Sequence, residues 1–101
     1  MTYEKVFIIA HVDPLGEIRL QSLEKLIRMH GRMRMTLYLH GPGIHGRDAV
    51  RAAAYTILLP RERAKGLIEA LREADLEGLN VDLEIDGELI EIHKFKLKIE
   101  G

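Results

Sequence analysis

The chain has 101 residues, 47 % of them hydrophobic and 31 % charged, with no cysteine and a formal net charge of −1. That length predicts one domain spanning residues 1–101, and that composition excludes an intrinsically disordered chain, a disulfide framework, a thiolate metal site and a cysteine nucleophile. No apolar run reaches membrane-spanning length and the opening Met1-Thr2-Tyr3-Glu4-Lys5 lacks a basic signal region, so a cytoplasmic protein without a membrane partner is expected.

A single Gln (Gln21), a single Asn (Asn80), no Trp and many charges form a pattern met in heat-adapted proteins. The near-neutral charge conceals an asymmetry. Residues 1–61 carry nine basic and five acidic side chains, and residues 62–101 carry six and eleven. Between residues 28 and 51 the cations Arg28, Arg32, Arg34, Arg47 and Arg51 are opposed only by Asp48, which makes a local basic patch.

Lys5 to Val12 is a β-branched and aromatic run closed by Asp13-Pro14, and it predicts a strand. Both of its faces are apolar, so a central position is expected. From Glu17 to His30 the residues Ile18, Leu23, Leu26 and Ile27 fall at helical spacing, with Gly31 placed to form a left-handed cap. Met33, Met35, Leu37 and Leu39 alternate with Arg34, Thr36, Tyr38 and His40, which predicts a strand whose methionines and leucines face the core. The segment after Asp48 admits two readings. Asp48 could cap a helix through Val50, Ala53, Ala54, Ile57 and Leu58, but Tyr55-Thr56-Ile57-Leu58-Leu59 before Pro60 favours a strand.

Arg61 to about Asp75 carries Ala64, Leu67, Ile68 and Leu71 at helical spacing. Val81, Leu83 and Ile85 then alternate with acidic residues up to Asp86-Gly87, a two-residue hairpin signal that places Ile85 opposite Glu88, Leu83 opposite Ile90 and Val81 opposite Ile92. Past His93 the apolar phase shifts to Phe95, Leu97 and Ile99, with Lys94, Lys96 and Lys98 as guards on an exposed edge. The order β-α-β-β-α-β plus a C-terminal strand predicts an α+β ferredoxin-like βαββαβ sandwich with an added strand in a hairpin with strand four.

Within that fold, residues 5–85 resemble the RNA-recognition motif. Val6-Phe7-Ile8-Ile9-Ala10-His11 is similar to its first-strand signature, Arg51 to Leu58 to its third-strand signature, and Leu76 to Val81 to the stretch before its fourth strand. Ala52, Ala53 and His11 depart from the usual residues of those signatures. The resemblance implies single-stranded nucleic-acid binding through Phe7, Arg34, Tyr38, Arg51 and Tyr55. Tyr55 to Leu71 also resembles the strand, proline and helix of PII-like sensors, which with the ACT family are small-molecule regulators.

Helices on one face of such a sheet leave the other open, and Phe7, Ile9, His11, Arg34, Thr36, Tyr38, His40, Arg51, Ala53, Tyr55 and Ile57 are expected there. An apolar centre of that kind favours a second copy as its cover, with Phe7, Ile9, Tyr38, Tyr55 and Ile57 as the interface. The glycine-rich loop Gly41-Pro42-Gly43-Ile44-His45-Gly46-Arg47 is the most unusual segment, and His40, Gly41, Gly43, His45, Gly46, Arg47 and Arg51 are the candidate site for a small anion. His11 and Asp13, with His40 or His45, are weak candidates for a metal or acid–base site in a small enzyme. The expectation that best fits these readings is a homo-oligomeric, non-enzymatic binding or regulatory module that needs no cofactor, with an RNA-binding domain as the alternative.

Overall fold

A computed structural model describes residues 2–42 and 48–96. Alternation along β1 (Tyr3–Val12) buries Val6, Ile8, Ala10 and Val12 and leaves Phe7, Ile9 and His11 outward. β1 is the middle strand of a five-stranded antiparallel sheet of order β2-β3-β1-β4-β5, formed with β2 (Arg32–Pro42), β3 (Asp48–Pro60), β4 (Leu79–Ile85) and β5 (Glu88–His93). This is the ferredoxin-like βαββαβ arrangement, extended by β5 along the β4 edge. The segment after Asp48 is therefore strand, not helix.

Helices α1 (Leu20–His30) and α2 (Ala64–Glu73), each entered through a 3-10 turn, cover one face. Leu20, Leu23 and Ile27 of α1 and Leu67 and Leu71 of α2 share one core with Val6, Ile8, Tyr55, Ile57, Leu79, Val81 and Leu83. Ile18, expected on the buried stripe, lies in the lead-in turn and is largely exposed. Gly31 is extended (φ −148°) and not left-handed. It is needed for space, because a Cβ there would sit 2.8 Å from the Leu58 carbonyl oxygen.

The β4–β5 hairpin has the expected register, with Ile85 opposite Glu88, Leu83 opposite Ile90 and Val81 opposite Ile92. Both turn residues take positive φ, Asp86 at 52° and Gly87 at 78°, matching the twist of the flanking strands. β5 stops at His93, and the phase change beyond it has a clear cause. Lys94 turns under the sheet, where Nζ donates to the carbonyls of Leu71, Arg72 and Ala74 at 3.1, 2.7 and 2.7 Å. It thus satisfies the orphan acceptors at the end of α2 and does not guard an edge. Lys98 lies outside the described residues.

Asp13 anchors the far end of the sheet. Its Oδ1 accepts from the Leu15 amide at 2.8 Å, its Oδ2 accepts from the Lys96 amide at 3.0 Å, and its own N–H donates to Gly78. Gly78 (φ 93°) and Gly16 meet backbone to backbone, and a Cβ on Gly78 would lie 2.4 Å from the Gly16 Cα.

The third and second strands overturn the expected faces. Antiparallel pairing sets Ile57, Tyr55 and Ala53 opposite Val6, Ile8 and Ala10, so all three point into the helix-covered core. In β2, Met33 pairs with Ile57 but Met35 pairs with Thr56, leaving Arg34 as the extra residue of a bulge. From there the phase of β2 is reversed. Thr36 and Tyr38 lie on the helix side opposite Tyr55 and Ala53, and Met35, Leu37 and Leu39 lie on the open side. Met29, in the last turn of α1, is likewise exposed.

Candidate functional site

The face without helices is built from three rows that cross all five strands. Combining the registers gives Leu39, Ala52, His11, Asn80 and His93, then Leu37, Ala54, Ile9, Asp82 and Glu91, then Met35, Thr56, Phe7, Glu84 and Leu89. The half formed by β2, β3 and β1 is apolar, and the half formed by β4 and β5 is acidic with one imidazole. Phe7 and Ile9 are each 46 % exposed, Met35 49 %, Leu37 56 % and Leu39 63 %. Single exposed apolar side chains need no explanation, but five contiguous ones form a patch of the kind that marks a contact surface.

Of the five residues expected at an interface, Phe7 and Ile9 are on this face. Tyr38, Tyr55 and Ile57 are beneath it, and Met35, Leu37 and Leu39 take their place. The two tyrosines meet α1 instead. Tyr38 and Tyr55 both donate to Glu24 Oε2, at 2.6 and 2.7 Å. Burial first, and then the bond to Glu24, pushes the Tyr55 phenol well above its usual range. For Tyr38 the bond to Glu24 is the larger cause, followed by burial. This carboxylate knot between α1, β2 and β3 left no signal in the spacing, since Glu24 reads as one more polar residue on a helix.

At the His11 end of the face lies a cleft of about 500 Å³ whose walls include His11, Asp13, Leu39, Arg51, Asn80, Asp82, His93 and Phe95. That volume falls within the range of small-molecule sites. Asp13 accepts from the Leu15 and Lys96 amides, as described above, and lines this cleft together with His11, the residue the sequence paired with it. His93 Nε2 is 2.7 Å from Asp82 Oδ1 and 3.7 Å from Glu91 Oε2. One atom from each of these three residues lies within 4.8 Å of the others. An imidazole with two carboxylates is a donor set that could hold a divalent cation, and the same geometry serves equally as an ion pair when the imidazole is protonated.

The expected anion site falls largely outside the described residues, which exclude Gly43, His45, Gly46 and Arg47. Of the remainder, His40 and Gly41 close β2 opposite Val50 and Ala49. Arg51 is the extra residue of a second bulge, and its Nη1 donates to the Pro42 carbonyl at 3.0 Å.

The fold and this face together define a ferredoxin-like α+β domain whose half-apolar sheet face is covered by none of the described elements. No helix among the described residues is long and apolar enough to cross a membrane. No protein-family model matches the sequence, and no curated protein matches it closely enough to count as a relative.

Proposed function

We propose that this protein is a homo-oligomeric binding module without catalytic activity, whose uncovered sheet face packs against the same face of a second copy. The observation that carries this reading is the contiguous patch of Phe7, Ile9, Met35, Leu37 and Leu39, each about half exposed. Together these side chains present on the order of 500 Å² of apolar surface, the size of the largest apolar patches of single chains, which often mark contact sites. Removing that area from water is worth about 12 kcal/mol per subunit at 25 cal/mol/Å², before the costs of association are subtracted. A two-fold axis through the patch makes it self-complementary, its apolar side chains meeting apolar side chains of the other copy, while Asp82, Glu84 and Glu91 remain at a wet rim.

The cleft beside His11 opens at the end of this face, so a ligand there would sit against the margin of the interface. The alternative of single-stranded RNA on this face keeps Phe7 as a stacking platform but loses Tyr55, and the acidic half of the sheet repels phosphate.

Light scattering on the full chain at micromolar concentration tests the reading. The expected mass is that of two chains of 11.5 kDa each, and Leu37→Asp, which exchanges an exposed leucine for a charge at the centre of the patch, is expected to return a folded single chain. A native protein that is monomeric under these conditions overturns the proposal.

A further inference from the structure

Two arginines of the basic run, Arg28 and Arg32, lie at the end of the sheet away from the Pro42–Asp48 pair. There β1 begins, β3 ends, and α1 passes into β2 through Gly31. A concavity of about 480 Å³ lies at this junction, with Arg28, His30, Arg32 and Arg63 around it and Met29 and Leu58 among its apolar walls. Among the described residues no carboxylate lines it, although the chain has 16 acidic residues against 15 lysines and arginines.

Three guanidinium groups around one hollow repel one another, and a bound anion relieves that repulsion. Arg32 and Arg63 have no ion-pair partner among the described residues. Arg28 has only a long contact of 3.8 Å to Glu24 Oε1, and the other oxygen of that carboxylate already serves two tyrosines. His30 Nδ1 lies 2.9 Å from the Leu26 carbonyl and donates to it, which leaves Nε2 for another partner. The scaffold is firm, because Gly31 rests against the end of β3 with no room for a Cβ.

We propose that this pocket binds a small phosphate ester. Guanidinium forks match phosphoryl oxygens in pairs, so Arg28, Arg32 and Arg63 would hold one or two phosphoryl groups, with the imidazole of His30 as a further donor when protonated. The hollow is larger than a bare phosphate requires, and Met29 and Leu58 offer an apolar wall for the body of the ester. The inference does not rest on self-association, since none of its cationic residues is among the five side chains of the apolar patch.

Calorimetric titration of the full chain with inorganic phosphate, pyrophosphate and ADP tests it. One saturable site per chain is expected, with ADP bound more tightly than pyrophosphate and pyrophosphate more tightly than phosphate, and with affinity falling as salt is raised. Arg32→Ala and Arg63→Ala should each weaken ADP binding about tenfold or more, the loss of one charge-assisted pair. Both should leave the unfolding temperature nearly unchanged, because neither arginine is ion-paired, and Lys65→Ala on α2 should leave ADP binding unaltered. Three results overturn the proposal. They are no saturable binding of any of the three probes at millimolar concentration, ADP affinity indifferent to both arginine variants, and binding of single-stranded RNA with ADP inert.

Discussion

Along β1, β2 and β3 the two faces of the sheet differ little in hydrophobic content, yet one lies under two helices and the other carries none of the described elements. Ile8 is fully buried and Ile9, its neighbour in sequence, is 46 % exposed. The same residue type one position apart thus stands in two environments. What separates them is partnership: Ile8 meets Tyr55 and Leu83 across the sheet beneath the helices, whereas Ile9 meets Ala54 and Asp82 in the open. Hydrophobic character alone does not tell which side of a central strand a helix will cover, and a protein with two such sides has a second contact to make.

The sharpest way to break that contrast is the pair Ile8→Ala and Ile9→Ala. Ile8→Ala should cost about 3 to 4 kcal/mol of folding stability, as large-to-small core substitutions do, read by urea unfolding. Ile9→Ala should cost under about 1 kcal/mol at concentrations where the chain is dissociated, and should weaken self-association. Equal destabilisation of the dissociated chain by both would mean that the open face is as tightly packed as the covered one.

A smaller effect belongs to the knot that ties α1 to the sheet. Glu24→Ala leaves the hydroxyl of the buried Tyr55 without its acceptor and should cost about 2 kcal/mol, with Glu24→Gln closer to the native value because it keeps an acceptor oxygen. Thermal unfolding of the two variants side by side distinguishes loss of the hydrogen bonds from loss of the charge.

The smallest effect appears only in alkali. Tyr55 and Tyr38 hold their protons above the pH at which an unfolded tyrosine releases them, so above about pH 10 the folded state binds more protons than the unfolded state. Their contribution to stability is full below that pH and is lost as pH rises through the folded values. Urea unfolding at pH 8, 10 and 11 should show that decline, and Tyr55→Phe should flatten it.

Much of the fold was legible because its signals are local. Asp86-Gly87 fixes a hairpin through backbone geometry, and the spacing of Leu23, Ile27, Leu67 and Leu71 fixes two helix faces. The facing of β2 and β3 was not legible, for a physical reason: β3 takes its orientation from β1 across a long-range pairing, and β2 changes phase at a residue that interrupts no pattern in the sequence. Assigning Tyr55 to an exposed position by likeness to a stacking aromatic failed on the same ground, since its register with Ile8 turns it toward Glu24. The end of the last strand at His93 was visible as a phase change, but the task of Lys94 at the end of α2 depends on a contact more than twenty positions away in the chain.

The unpaired Arg34 carries a consequence for how this protein could change over time. Loss of that one codon would remove the bulge and leave Met33 opposite Ile57 and Met35 opposite Thr56 in an unbroken ladder, so every side chain of the edge ribbon would keep its present face. A strand that kept Arg34 and paired it with Thr56 would instead turn Met35, Leu37 and Leu39 inward and bring Thr36 and Tyr38 to the surface. The greasiness of the outer wall is therefore set by how one residue pairs as much as by composition, and a lineage could shed its sticky side without altering any leucine.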